Sequence, residues 1–300
     1  YILEGTVSSS EITNISQVII DTINNLLNSL FSSIDNSVYN TLDNLAFIDD
    51  GILTDSFFEK FFGQNSNTSL LVIANSLLVA VCLYYCFKLL YSHLSGISVE
   101  KPYQFVFKLL IFAIFINCSY YIGQFFIYFT SLISSLIREI GESILNTDIS
   151  FSTLIENLNS VISIDSASIN VFSFDGILKS IISVSFVSLL FTYSLRYIMI
   201  KVLLLLMPFA FLTLINSSSS WFFKAWLKVF LSLLFIQPFI SIILLIVFAL
   251  NFSSSDITSK ILCIGSLYAL IRANSYVQSF IGGISTTVSQ NFNFMKGQIK

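Results

Sequence analysis

Apolar runs separated by short polar breaks fill most of the chain after residue 67, while the region before it repeats at helical period. From Glu11 to Phe47, the residues Ile12, Ile15, Ile19, Ile23, Leu26, Leu30, Ile34, Val38, Leu42 and Leu45 recur three and four apart. That spacing puts them on one face of a helix, opposite Ser, Asn and Asp. The stripe is too patchy for a membrane crossing, so it must be covered by the membrane surface, by the chain itself or by a partner. No basic residue lies in this stretch, which disfavours adsorption to anionic lipid, and a protein partner is expected.

The first long apolar run, Thr68 to Tyr91, is close to the ~20 residues that a bilayer requires. A short linker follows, with Lys88, Lys101 and Lys108 in or beside it and Pro102 suited to the first turn of the next helix. The second run, Gln104 to Ile137, is longer than one crossing needs, and its Ser- and Thr-rich end is predicted to emerge as a helical extension. Arg138 to Asp175 carries Glu139, Glu142, Asp148, Glu156, Asp165 and Asp175 and reads as an exposed acidic loop containing short helices. Lys179 to Asn216 admits two readings. It is two spans around a tight RYIMIK turn, or one span, Tyr197 to Ile215, preceded by an interfacial or re-entrant helix. The last two runs are Val229 to Phe252 and Ile257 to Tyr276, joined by a short SSSD turn.

Charge selects among these. From Ser180 to Lys300 there is one acid, Asp256, against eight Lys and Arg; before Asn67 there are nine acids and one base, Lys60. Cytoplasmic segments are enriched in Lys and Arg. Reading the WFFKAWLK segment as cytoplasmic allows only one span in 179–216. The expected fold is therefore all-α and polytopic, with about five spans, the N-terminus outside and the C-terminus inside. Its parts are an exported amphipathic region (1–66), two spans with a basic cytoplasmic loop (67–137), an exported acidic loop (138–178) and a C-terminal group of spans with a cytoplasmic tail (179–300). Tyr1 in first place is expected where an export signal has been cleaved or where the sequence is a piece of a longer one, and an exported N-terminus agrees with the charge count.

Composition supports the membrane class. Hydrophobic residues make up 55%, charged residues 10%, and mean hydropathy is +0.84. A soluble domain carries about 25% charged residues. The net charge of −3 is segregated along the chain and offers no broad basic face for nucleic acid. Cys82, Cys86, Cys118 and Cys263 all fall in apolar runs and are expected to pack as small hydrophobes. Cys82, Cys86 and the single histidine, His93, share a region but not a standard zinc spacing. No HExxH, GxSxG or phosphate-binding glycine loop is present. No enzyme activity and no cofactor are implied.

Three bases within or beside spans stand out: Arg196, Lys201 and Arg272. Lys201 near an outer boundary and Arg272 near an inner one could snorkel to headgroups. Alternatively the three line a polar path or a subunit contact, because a charge at the bilayer centre costs roughly 2.5–3.5 kcal/mol and usually has a use. No Asp or Glu falls deep within a span, which weakens an ion-coupled carrier. Pro208 and Pro238 lie inside spans as candidate kinks. Trp221 and Trp226 flank Lys224, with Lys228 nearby, as a candidate cytoplasmic loop contact.

The order KVLLLLMPFAFLTLI followed by SSSSWFFKAWLKVFLSLLFIQPF resembles the TrbL-type polytopic subunit of type IV secretion and conjugation systems, with Pro208, Trp226, Lys228 and Pro238 in the corresponding places. The resemblance covers about Thr68 to Ser285. It implies a non-enzymatic channel or scaffold subunit of the bacterial plasma membrane. Such a subunit assembles with copies of itself, other channel proteins and a cytoplasmic secretion ATPase, and touches translocated DNA transiently. The alternative is a solute permease or the membrane subunit of a transporter. Carriers commonly carry internal repeats, and none is read here.

Overall fold

A computed structural model describes residues 41–48, 50–52, 56–62, 69–96, 101–161, 174–216, 218–250 and 257–281, with isolated positions between 18 and 29. Every regular element among them is helical: α1 (41–46), a 3₁₀ turn (Asp50–Ile52), α2 (Ser56–Phe62), α3 (Leu70–Ser95), α4 (Pro102–Asn117), α5 (Ser119–Leu145), α6 (Phe151–Val161), α7 (Phe174–Leu212), α8 (Ser220–Ala249) and α9 (Ile257–Ile281). Four of these are long and apolar enough to cross a membrane: Leu70–Ser95, Ser119–Leu145, Gly176–Leu212 and Ser220–Ala249. The chain is thus a polytopic helical protein of multi-pass membrane character.

Local sequence sets the ends. The Ser69 hydroxyl accepts from the Val72 N–H at 3.3 Å and caps α3. Gly96, at φ 68°, closes it with its N–H on the Ser92 carbonyl. Pro102 opens α4 at a position where its missing N–H costs nothing. Asn146, also left-handed, ends α5.

Packing defines a bundle of α5, α7, α8 and α9. The buried face of α5 is Ser119, Gly123, Ile127, Thr130, Ser134 and Gly141. Small residues at helical spacing let α8 come close, which is how helices associate in lipid, where apolar burial alone gives little drive. Ser134 and Ser241 hydroxyls bond across this seam. A Cβ on Gly123 would stand 2.8 Å from Leu204 Cδ2 of α7, so α7 is equally close. α7 and α8 run antiparallel. Trp226 meets Leu203, and seven residues further along each helix Arg196 meets Leu233.

Three expectations change. The run Gln104 to Ile137 is not one helix: it breaks at Cys118 into α4 and α5. The span in 179–216 does not begin at Tyr197. α7 is one continuous helix of 39 residues through RYIMIK, which excludes both the tight turn and a separate preceding helix. The first two spans also pair differently. Asn75 and Asn117 exchange side-chain hydrogen bonds at 3.1 and 3.3 Å, and Phe62 packs on Tyr120, so α3 starts beside the beginning of α5. The five-span scheme puts Thr68 level with Ile137, about 25 Å further along α5 at 1.5 Å per residue. The α3–α4 hairpin instead docks where α7 ends, through Phe115 on Phe211 and a cluster of Tyr85, Phe105 and Ile215.

α9 covers the fifth predicted span but is less apolar than the four long helices. Its polar residues Ser266, Asn274 and Gln278 are buried against the bundle. Of the amphipathic stripe, only Leu26, Leu42 and Leu45 fall among the described residues. Leu26 is exposed, whereas Leu42 is fully buried in the chain's own core with Leu45 packed against it. For residues 41–48 and 56–62, then, the covering partner is this bundle.

Candidate functional site

Arg196 is the largest side chain fully enclosed by the structure. It projects from the middle of α7. Its Nε donates to the Leu233 carbonyl at 2.9 Å, Nη1 to the Ala46 carbonyl at 2.7 Å and Nη2 to Gln237 Oε1 at 3.4 Å. No carboxylate meets it among the described residues. The guanidinium is held by three neutral oxygens from two segments of chain: the Leu233 carbonyl and the Gln237 side chain of α8, and the Ala46 carbonyl at the end of α1. Dispersed over a planar fork, its charge suits this better than an ammonium would. Arg196 therefore does not snorkel; it ties the bundle together from inside.

Lys201 lies five residues along α7, with Nζ 5.6 Å from the Phe58 ring centre and 4.9 Å from that of Tyr197. The cation–π contact with Phe58 joins α7 to α2. Arg272 stands apart. Its Nε donates to Tyr268 Oη of the preceding turn at 2.9 Å, with the guanidinium over the same ring. The Tyr193 hydroxyl of α7 donates to the Leu270 carbonyl of α9 at 3.5 Å, two residues before Arg272. The structure thus sets Arg196 against Ala46 and Lys201 against Phe58, and leaves Arg272 apart from both.

Trp221, Lys224, Trp226 and Lys228 stand on the first turns of α8, not in a loop. Trp221, Lys224 and Lys228 are exposed. Trp226 is buried; its Nε1 donates to the Leu203 carbonyl at 3.0 Å, and its ring stacks on Phe230 at 5.1 Å beside Phe211 and Phe223. Sequence reasoning placed it at an interface because it neighbours a lysine. A five-residue step, about 140° of helical turn, puts Trp226 and Trp221 on different faces.

Both helices continue through their prolines. Pro208 removes the N–H that would serve the Leu204 carbonyl, and Pro238 does the same to Leu234. The carbonyl just before each gap, Leu203 and Leu233, accepts a bond from the other helix, Trp226 and Arg196 respectively. Arg196, Leu203 and Pro208 correspond to Trp226, Leu233 and Pro238 at a constant offset of thirty residues. Around them Leu203-Leu204…Pro208-Phe209 matches Leu233-Leu234…Pro238-Phe239. Two antiparallel helices with equivalent residues in equivalent roles form a short inverted pair, its pseudo-dyad near the fully buried Ile200 and Phe230. The sequence analysis missed it because the two cross-helix donors differ in kind.

At the far end of the bundle, Asp43 takes the Phe151 and Ser152 N–H groups at 2.9 and 3.3 Å and the Ser152 hydroxyl at 3.1 Å. A carboxylate at exposed helix amides satisfies their unpaired donors. The guanidinium of Arg138 lies 4.2 Å over Phe47. Cys82, Cys86 and His93 form no site: among the described residues, no three His, Cys, Asp or Glu side chains cluster to hold a metal. No protein-family model, curated protein or solved structure matches the chain.

Proposed function

We propose that this chain is a non-enzymatic channel or scaffold subunit of a type IV secretion machine in a bacterial plasma membrane, moving DNA or protein across it. The observation that carries the reading is the α7–α8 pair. Pro208, Trp226 and Pro238, on which the TrbL-like resemblance rests, fall together in one packed unit, and Lys224 and Lys228 stay exposed beside its turn. In this reading those lysines face the cytoplasm and meet the secretion ATPase, while the long apolar faces of α3 and α4 meet lipid, other channel proteins or further copies of the chain. The capping of α6 by Asp43 supports one side for the stretch around Asp43 and the acidic loop.

The inverted α7–α8 pair favours a second reading, a solute permease, because inverted repeats recur in carriers. A mild-detergent pull-down of the tagged chain from its native host, read by mass spectrometry, separates the two. A secretion ATPase with mating-channel proteins supports the first. A solute-transport ATPase with a binding protein, or the chain alone as a stable monomer, moves the assignment to the permease.

A further inference from the structure

One face of α4 turns inward and another stays open. Phe105 is buried, stacked on Tyr85 of α3 with ring centres 3.7 Å apart. Tyr103, Phe107, Leu110 and Ile114 recur four, three and four residues apart, which places them in one strip along the helix. They are 65, 66, 56 and 57% exposed. From Tyr103 to Ile114 the strip runs about 16 Å at 1.5 Å per residue. That is close to half of the ~30 Å hydrocarbon core, the depth of one leaflet.

At the linker end of this strip lies an open groove of about 490 Å³, lined by Tyr103, Gln104, Phe107 and Lys108. Lys108 is half-buried one turn after Gln104. Helical side chains lean toward the N-terminus, so its ammonium is carried toward Gln104 and the polar linker while its stem lies along apolar surface. Gln104 Nε2 donates to Tyr103 Oη at 3.4 Å, and the Tyr103 hydroxyl is itself a donor. An ammonium, an amide and a phenol thus share one groove. The surrounding charge has one sign. Neither α3 nor α4 contains an Asp or Glu. Lys88 and Lys101 are exposed at the same end of the α3–α4 hairpin, and the sequence between the helices adds a single acid, Glu100.

We propose that this groove binds the phosphate of an anionic membrane phospholipid, with Lys108, Gln104 and Tyr103 donating to its oxygens and an acyl chain laid along Phe107, Leu110 and Ile114. A free phosphate would use the groove alone. The strip that continues from it, apolar and one leaflet deep, fits the tail of a lipid. A zwitterionic lipid carries its own ammonium beside the phosphate, which the lysines of this end disfavour, whereas clustered bases at a membrane boundary attract anionic headgroups. In the orientation proposed above the bound lipid belongs to the cytoplasmic leaflet. The site rests on the membrane character of the chain and not on what the chain translocates.

The test is binding of radiolabelled phosphatidylglycerol to the full tagged chain in mild detergent, read by scintillation proximity. Unlabelled phosphatidylglycerol should compete at least tenfold better than phosphatidylcholine with the same acyl chains. Inorganic phosphate should displace no more label than chloride at equal ionic strength. Equal competition by the two lipids overturns the anionic headgroup, and displacement by phosphate beyond that by chloride overturns the lipid in favour of a free anion. Lys108→Gln should weaken phosphatidylglycerol at least fivefold and Lys108→Arg should restore it. Lys60→Gln, exposed on α2, should leave it unchanged. Equal losses in Lys108→Gln and Lys60→Gln reduce the effect to general charge and overturn the site. The competition series on the unaltered protein decides the question even where Lys108→Gln fails to fold, and it does not depend on which proteins the pull-down recovers.

Discussion

Trp226→Phe tests whether the α7–α8 pair is held as the structure has it. The change removes one hydrogen bond, from Nε1 to the Leu203 carbonyl, and part of one ring from the cluster of Phe211, Phe223 and Phe230. A buried bond of this kind contributes about 0.5–1.5 kcal/mol net. Leu203 is not the carbonyl orphaned by Pro208, so it keeps a helical donor and the loss falls near the middle of that range. The smaller ring leaves about 40 Å³ unfilled, worth roughly 1 kcal/mol at ~24 cal/mol per Å³. The expected destabilisation is about 2 kcal/mol. Trp221→Phe is the control. Trp221 is 67% exposed, and an exposed substitution stays within about 0.5 kcal/mol.

Thermal unfolding in detergent, followed by circular dichroism at one scan rate, reads the difference. At roughly 2 °C per kcal/mol for a chain of this size, Trp226→Phe lowers the apparent Tm by about 4 °C and Trp221→Phe hardly moves it. The chain has only two tryptophans, so each variant is also a single-tryptophan protein. Acrylamide should quench Trp221 strongly and Trp226 weakly. Equal Tm shifts in the two variants, or equal quenching, would refute the buried Trp226 and return it to an interfacial anchor.

Other outcomes follow from particular positions. Gly265→Ala stabilises α9 by about 0.5–1 kcal/mol in detergent melts, since a Cβ there meets nothing within 4 Å and glycine is a poor helix former. Asp43→Ala leaves the Phe151 and Ser152 amides uncapped and costs about 1–2 kcal/mol, seen as a lower melting temperature and faster exchange at the start of α6. Ser219→Cys, in the turn before α8, is labelled by an impermeant maleimide only from the cytoplasmic side; labelling from outside would invert the orientation.

The helical membrane character was legible because it needs only length and apolar content, and the α3, α8 and α9 helices lie close to the predicted spans. Interruption within an apolar run was not. Cys118 breaks α4 from α5 with no glycine or proline to mark it; the following helix must turn to lay its small-residue face, Gly123 to Gly141, on α8, and that demand comes from the partner helix. Continuity was equally hidden. Arg196 and Lys201 look like a turn in an apolar run, yet the helix passes straight through because both charges find partners inside the bundle. The stripe calls for cover from a protein partner; at Leu42 and Leu45 the cover is the chain's own core, which period alone cannot say.

The α7–α8 pair shows why pattern search misses such relations. Comparing Arg196 with Trp226 by residue type gives no likeness, since one is a cation and the other aromatic. What they share is a donated N–H at the end of a long side chain, twelve residues before a proline, reaching the carbonyl five residues before the proline of the other helix. The common requirement is a donor of that reach, because each proline loosens the helix where its neighbour must grip it. The two donors also set the two halves apart. Arg196 brings a charge and with it Gln237 and the Ala46 carbonyl, whereas Trp226 brings only rings. One half of the pair is therefore polar and occupied by a separate segment, and the other is an apolar seal.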